Sequence, residues 1–148
     1  MTKNFSFDEL THTSHADLLE ANRESAKAFM KQLKYIAGTL EEIRAILEVP
    51  LKVTSGFRNN ALNKRVGGSA TSGHTKGLCA DIIPIGLEVH EAFQIIQSNK
   101  NKCPSLKKCI FEKVGNSIWL HVETKTEANQ SQQFFVTTNG KTYTEIKS

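Results

Sequence analysis

The sequence predicts an α+β fold, with a long N-terminal helix and short helices packed on a mainly antiparallel sheet. Three observations lead there. Phe29, Leu33, Ile36, Leu40, Ile43 and Leu47 recur at spacings of four and three, the stripe of a helix with one buried face. Gly115-Asn116 and Asn139-Gly140 each sit between runs rich in β-branched and aromatic residues, the pattern of a β-hairpin. The helical signal comes early and the paired-strand signals late, without the regular strand-helix alternation of a parallel sheet.

Taken in order, Ser6 and Glu9 in "SFDEL" match a capping box, so a short helix or turn begins there. The apolar stripe predicts a helix from about residue 23 to 48, capped by Asn22 and barred from continuing by Pro50. A heptad coiled coil shares that spacing, but the stripe spans fewer than four heptads and Gly38 interrupts it. "LKVTSGFR" reads as a short strand through Leu51 and Val53 that enters a Ser-Gly turn and delivers Arg58. "NNALNKRVGG" predicts a two-turn helix stopped at Gly67 and Gly68, where glycine supplies a left-handed cap. The loop "SATSGHTKG" leads into "LCADIIPI", a strand. "LEVHEAFQIIQSN" is helical, with Leu87, Phe93 and Ile96 inward and Glu88 and Glu91 on a solvated face. "KKCIFEKV" pairs with "SIWLHVET", and "QQFFVTT" with "KTYTEI". With no dividing linker, residues 1–148 form one domain: a helical part over 1–50, a central part over 51–125, and a C-terminal hairpin over 126–148.

A chain of 148 residues buries about two thirds of its unfolded surface around one core. Its 39% hydrophobic and 23% charged content excludes disorder and fibrous repeats. No apolar run approaches the roughly 20 residues of a membrane span, so no membrane partner is expected. The N-terminus lacks the apolar stretch of a secretory signal, which predicts residence in the cytoplasm of the producing cell until release. The net charge of +4 favours an anionic partner in a general way. Nucleic acid is not expected, because there is no Lys/Arg-rich run and no aromatic platform. Lys100, Lys102, Lys107 and Lys108 read as a solvated charged surface, or as a patch for an anionic polymer. Cys79, Cys103 and Cys109 lack the CxxC spacing of a zinc finger and are expected to be reduced thiols, with a Cys103–Cys109 bridge left open in an oxidising setting. A monomer is the default.

The chemistry begins at "SGHTKGLCADI". His74 and Asp81 could supply two ligands of a metal site, one from a loop and one from the following strand. A solvated loop histidine and a strand-capping aspartate give the same pattern. His121 adds a third donor, in a stretch that reads as a strand. If Gly115 and Asn116 centre an even-length loop, Ile110 faces His121 and Glu112 faces Trp119. Trp119, His121, Glu123 and Glu112 then share one face, with Glu112 the diagonal neighbour of His121 at about 7–8 Å. An odd-length loop would send Glu112 to the opposite face. His12, His15 and His90 match no ligand spacing and read as surface residues.

The ordered set "SGFR", "SGHTKGLCAD" and "WLH" resembles the signature SGxR, SxHxxGxAxD and WxH of the D-alanyl-D-alanine carboxypeptidase family of zinc peptidases, which also includes phage endolysins. The resemblance covers about residues 5 to 125, and the opening segment is similar to that of the family's small single-domain members, many of them phage-encoded. It implies that His74, Asp81 and His121 bind Zn²⁺, and that Arg58 contacts the carbonyl or carboxylate of the substrate. It puts Ser72 and Trp119 on the substrate side, Ser72 also holding the His74 loop and Trp119 walling the site. Cys79 stands where the motif has alanine, and is expected to be buried and not a ligand. Some relatives carry an acid three positions before the last histidine; that position is Ile118 here. Others, and the structurally related hedgehog domain, place a carboxylate on the preceding strand, which makes Glu112 the general base and Glu123 the fallback. The implied activity is zinc-dependent hydrolysis of an amide bond in the peptides of bacterial peptidoglycan, by a cytoplasmic or virion-borne protein. The alternative is a non-catalytic, zinc-stabilised cell-wall-binding or virion module.

Overall fold

In the computed structural model of the protein, which describes residues 1–147, the apolar stripe becomes the inward face of a helix, α3, Met30–Leu47. Leu33, Ile36, Leu40, Ile43 and Leu47 are buried there, and Phe29 packs half-buried at its start. Each fully buried Leu or Ile contributes about 1.5–3 kcal/mol of transfer free energy, so this face fixes the helix on the sheet. The helix ends three residues before Pro50, with Glu48 in the left-handed region (φ 57).

The expected single helix over residues 23–48 is two helices. α2, Ala16–Ala26, passes through a 3-10 turn, Lys27–Phe29, before α3 begins. Asn22 is therefore not a cap. It lies inside α2, fully buried, and its amide donates to Thr11 O (2.9 Å) and Phe57 O (3.0 Å) while accepting from Asn59 N (2.7 Å). An asparagine before a helical stripe and an asparagine that ties three segments together look alike in sequence; only the tertiary partners separate them. The capping box forms as predicted at the head of α1, Phe7–Thr11.

Among the described residues, six strands form one sheet in the order β1-β2-β4-β3-β5-β6: β1 Leu51–Ser55, β2 Cys79–Pro84, β3 Leu106–Val114, β4 Ser117–Thr124, β5 Gln133–Thr137 and β6 Thr144–Glu145. The sheet is mixed. All its pairings are antiparallel except β3·β5, which is parallel. The chain leaves β4, crosses the start of β3 and runs back along its free edge, and this crossover sets the direction of β5. The second hairpin forms, but residues 138–143 connect its strands instead of a two-residue Asn-Gly turn. The first hairpin has the even-length loop, and its register pairs Ile110 with His121 and Glu112 with Trp119.

Alternation divides the sheet into a core face and a cleft face. Ala80, Ile82, Cys109, Phe111, Leu120, Val122 and Phe134 are buried with α3 and with α5, Val89–Ser98, whose inward residues are Ala92, Phe93 and Ile96. Leu87 precedes α5 and is only partly buried. Asp81, His121, Glu112 and Trp119 stand on the cleft face. The short α4, Asn60–Arg65, follows β1 and leads to the loop that carries His74. All three cysteines are buried free thiols, and burial pushes Cys103 up to about 12.

Candidate metal centre and active-site cleft

His74 is placed by backbone. It lies in a 3-10 turn, Gly73–Lys76, opened by Ser72 Oγ accepting from His74 N (3.2 Å) and closed by Gly77 in the left-handed region (φ 72). Its carbonyl accepts from Arg58 N (3.0 Å), which joins the two motif loops. The ring Nδ1 lies 2.7 Å from Gly56 O. A carbonyl only accepts, so Nδ1 carries the proton and Nε2 keeps its lone pair for a ligand. Gly56 itself has no room for a side chain, because a Cβ there would stand 2.2 Å from Leu10 O.

Asp81 and His121 are direct cross-strand partners of β2 and β4. Asp81 Oδ1 is 3.4 Å from His74 Nε2 and 3.0 Å from His121 Nδ1. The three ligand atoms lie within 4.8 Å of one another. Burial opposes ionisation of Asp81, but His74 and His121 overcome it and hold the carboxyl well below the usual carboxylate range. Burial likewise opposes the charge on His121, yet Asp81 and Cys79 hold its pKa well above the ordinary histidine value. Two imidazole nitrogens and one carboxylate oxygen, with one ring already anchored from behind, make a donor set that fits a four-coordinate divalent metal such as zinc and leaves one position open.

The donors open onto a cavity of about 670 Å³ that is also lined by Arg58, Ser72, Glu112 and Trp119. Arg58 donates through Nη2 to Ser72 Oγ (3.4 Å), while its buried Nε has no partner among the described residues. Burial lowers its pKa, offset by the charges of Asp81, Cys79 and Glu112. Ser72 is thus occupied by two internal contacts, as a loop-holding residue would be. Glu112 is half-buried, and burial raises its pKa above the ordinary carboxylate value; His121 works against this shift and Asp81 adds to it. Trp119 Nε1 approaches Glu112 but is buried without closing a well-formed hydrogen bond. Ile118 is exposed and takes no part in the cavity wall.

Three features escape sequence reading. Cys79 and Glu123 form a second cluster with His121, again within 4.8 Å, so His121 belongs to both groups. Gly73 makes this possible, since a Cβ there would meet Cys79 Sγ at 2.3 Å. Lys107 and Lys108, expected on a solvated surface, line the cavity and pair with Glu123 at 3.7 and 3.9 Å. Tyr143, from the C-terminal hairpin, also reaches the cavity. His90 is exposed, stacks on Phe93 and meets Phe111 edge-on, outside the candidate metal cluster.

The Peptidase M15 family model matches residues 3–115. The chain belongs to the Peptidase M15 family. These are peptidases of the zinc D-Ala-D-Ala carboxypeptidase type, and the matched segment of this M15 chain holds Arg58, Ser72, His74, Asp81 and Glu112. Trp119 and His121 lie beyond the match, brought to the same cavity by the register of β4 on β2 and β3. No curated protein matches the chain. Among the described residues, no helix of this M15 protein is long and apolar enough to cross a membrane.

Proposed function

We propose that the protein is a zinc-dependent peptidase that hydrolyses an amide bond in the peptide part of bacterial peptidoglycan, as a carboxypeptidase or an endopeptidase. One observation carries the reading: Arg58, His74, Asp81, Glu112 and His121, far apart in sequence, line a single cavity. Membership of the M15 family supports peptide hydrolysis. The net charge of +4, with Lys107 and Lys108 on the cavity wall, suits an anionic cell-wall polymer. Release from an infecting or resident phage would deliver such a chain to its substrate.

His74 through Nε2, His121 through Nδ1 and Asp81 through its carboxylate would hold the metal. When bound, zinc supplies a Lewis acid that polarises the scissile carbonyl and acidifies water. Glu112 takes a proton from the attacking water and delivers it to the leaving amine nitrogen as the C–N bond breaks. Its raised pKa suits that exchange, because a base near the operating pH both gains and releases a proton readily. Arg58, whose guanidinium lines the cavity, offers donors to the carbonyl or a carboxylate of the substrate and helps stabilise the developing oxyanion. Trp119 forms a wall beside the reacting group.

Glu112→Gln tests the assignment. The variant should bind zinc as the parent does and lose hydrolysis by about 100-fold or more. Full hydrolysis with zinc retained would mean that another group is the base. A second reading draws on Ile118, which leaves no acid three positions before His121: a non-catalytic, zinc-stabilised cell-wall-binding or virion module. On that reading His74→Ala lowers stability and wall binding, and the parent cuts no bond in any peptidoglycan.

A further inference from the structure

On the cleft face a row of residues crosses the sheet in register. Trp119 on β4 stands opposite Glu112 on β3, and Glu112 opposite Thr137 on β5. Val136 pairs with Thr144, so Tyr143 falls beside Thr137 at the far end of the row. Residues directly across neighbouring strands share a face, which puts Glu112 between Trp119 on one side and Thr137 with Tyr143 on the other. Thr137 cannot serve the carboxylate. It is 2% exposed, and its hydroxyl donates to Asn139 Oδ1 (3.3 Å) and accepts from Gly140 N (3.0 Å). Tyr143 is longer, lines the same cavity as the metal donors, and its hydroxyl approaches Glu112 while its well-formed bond goes to Gly140 O (3.2 Å).

We infer that Tyr143 is a positioning residue for Glu112, its phenol holding the carboxylate in the place from which it meets water and substrate. The inference rests on Glu112 as the base. It also assigns a role to the C-terminal hairpin, which lies beyond the residues matched by the family. The phenol has one proton, and Gly140 O competes for it at 3.2 Å. A hydrogen bond to a charged acceptor is about twice as strong as one to a neutral carbonyl, so the proton goes to Glu112 while Glu112 is ionised. Once Glu112 has taken a proton it becomes the donor. The phenol then turns its hydrogen to Gly140 O and offers Glu112 a lone pair. One hydroxyl therefore partners both forms of the base, whereas the indole Nε1 of Trp119 can only donate and serves the ionised form alone.

Tyr143→Phe removes the hydroxyl and keeps the ring. In the zinc-loaded variant kcat on peptidoglycan peptides should fall about tenfold with KM unchanged, the loss expected of one hydrogen bond to a charged group. Crystal structures of parent and variant should show the Glu112 carboxylate displaced when the hydroxyl is gone. Tyr143→Leu, which also removes the ring, separates hydroxyl from packing. Parental kcat in the Phe variant with loss only in the Leu variant overturns the inference, as does an undisplaced Glu112. A parent that cuts no peptidoglycan defeats the proposed function instead, while the crystal comparison still decides whether Tyr143 holds Glu112.

Discussion

His121 stands between two sets of partners, and its proton couples the site to pH. In the metal-free protein Asp81 and Cys79 keep that proton in place against the effect of burial. A metal needs the ring's lone pair, so binding must expel it. Zinc affinity should therefore weaken as pH falls, and calorimetry in buffers of different ionisation enthalpy should report about one proton released per zinc. Binding with no proton release would contradict a protonated His121. The same shift bears on stability. The folded pKa of His121 is raised, so its pairing stabilises the metal-free fold below the unfolded histidine pKa, and that contribution is lost as pH rises through the raised value. Asp81 runs the other way: its contribution is present above the unfolded aspartate pKa and is lost as pH falls through the depressed one. At this scale the sequence revealed much of the site: strand alternation put Trp119 and His121 on one face, and the structure decides the open parity of the loop in favour of Glu112 beside them. It missed what depends on other elements. Lys107 and Lys108 look solvated until Glu123 is seen beside them, and Tyr143 has no visible partner until β5 is placed against β3.

The elements that position the metal donors are short, and glycine decides whether they fit. Gly56 passes so close to α1 that a methyl group would collide with backbone, where nothing can rotate away. Gly56→Ala should lower stability by about 1–3 kcal/mol, as overpacking does, and should weaken zinc binding by moving the carbonyl that anchors His74 Nδ1. Gly38 is the control. It sits inside α3, where a Cβ would meet no described atom within 4 Å beyond the helix's own backbone, and Gly38→Ala should stabilise by about 0.5–1 kcal/mol without affecting metal binding. Thermal melts and zinc titrations of both variants check the pair; equal effects would contradict the close approach at Gly56. Local rules read the capping box, the ends of α4 and the first hairpin correctly. They failed where the partner is remote. Asn22 resembled a cap because its hydrogen bonds to Thr11, Phe57 and Asn59 reach 11, 35 and 37 positions along the chain.

Across the whole molecule, one sheet separates two tasks. Its core face packs on α3 and α5 in the main apolar cluster, while its cleft face gathers polar groups that would be costly to bury without partners. The α+β class was legible because helical and strand periodicities occupy different stretches of the chain. The mixed order of the sheet was not, since a hairpin signal fixes which two strands pair and says nothing about the edge they join or its direction. That edge shapes the cavity, because the segment between β5 and β6 carries Tyr143 into its lining. The proposed function has this cleft cut peptide bonds in peptidoglycan with a metal held by His74, Asp81 and His121. Its most direct test is to incubate purified peptidoglycan with the protein, with and without a chelator, and to identify the released fragments by mass. Peptide fragments carrying new termini at an amide bond should appear, abolished by chelator and restored by added zinc; cleavage that persists in chelator, or no cleavage at all, rules the proposed function out.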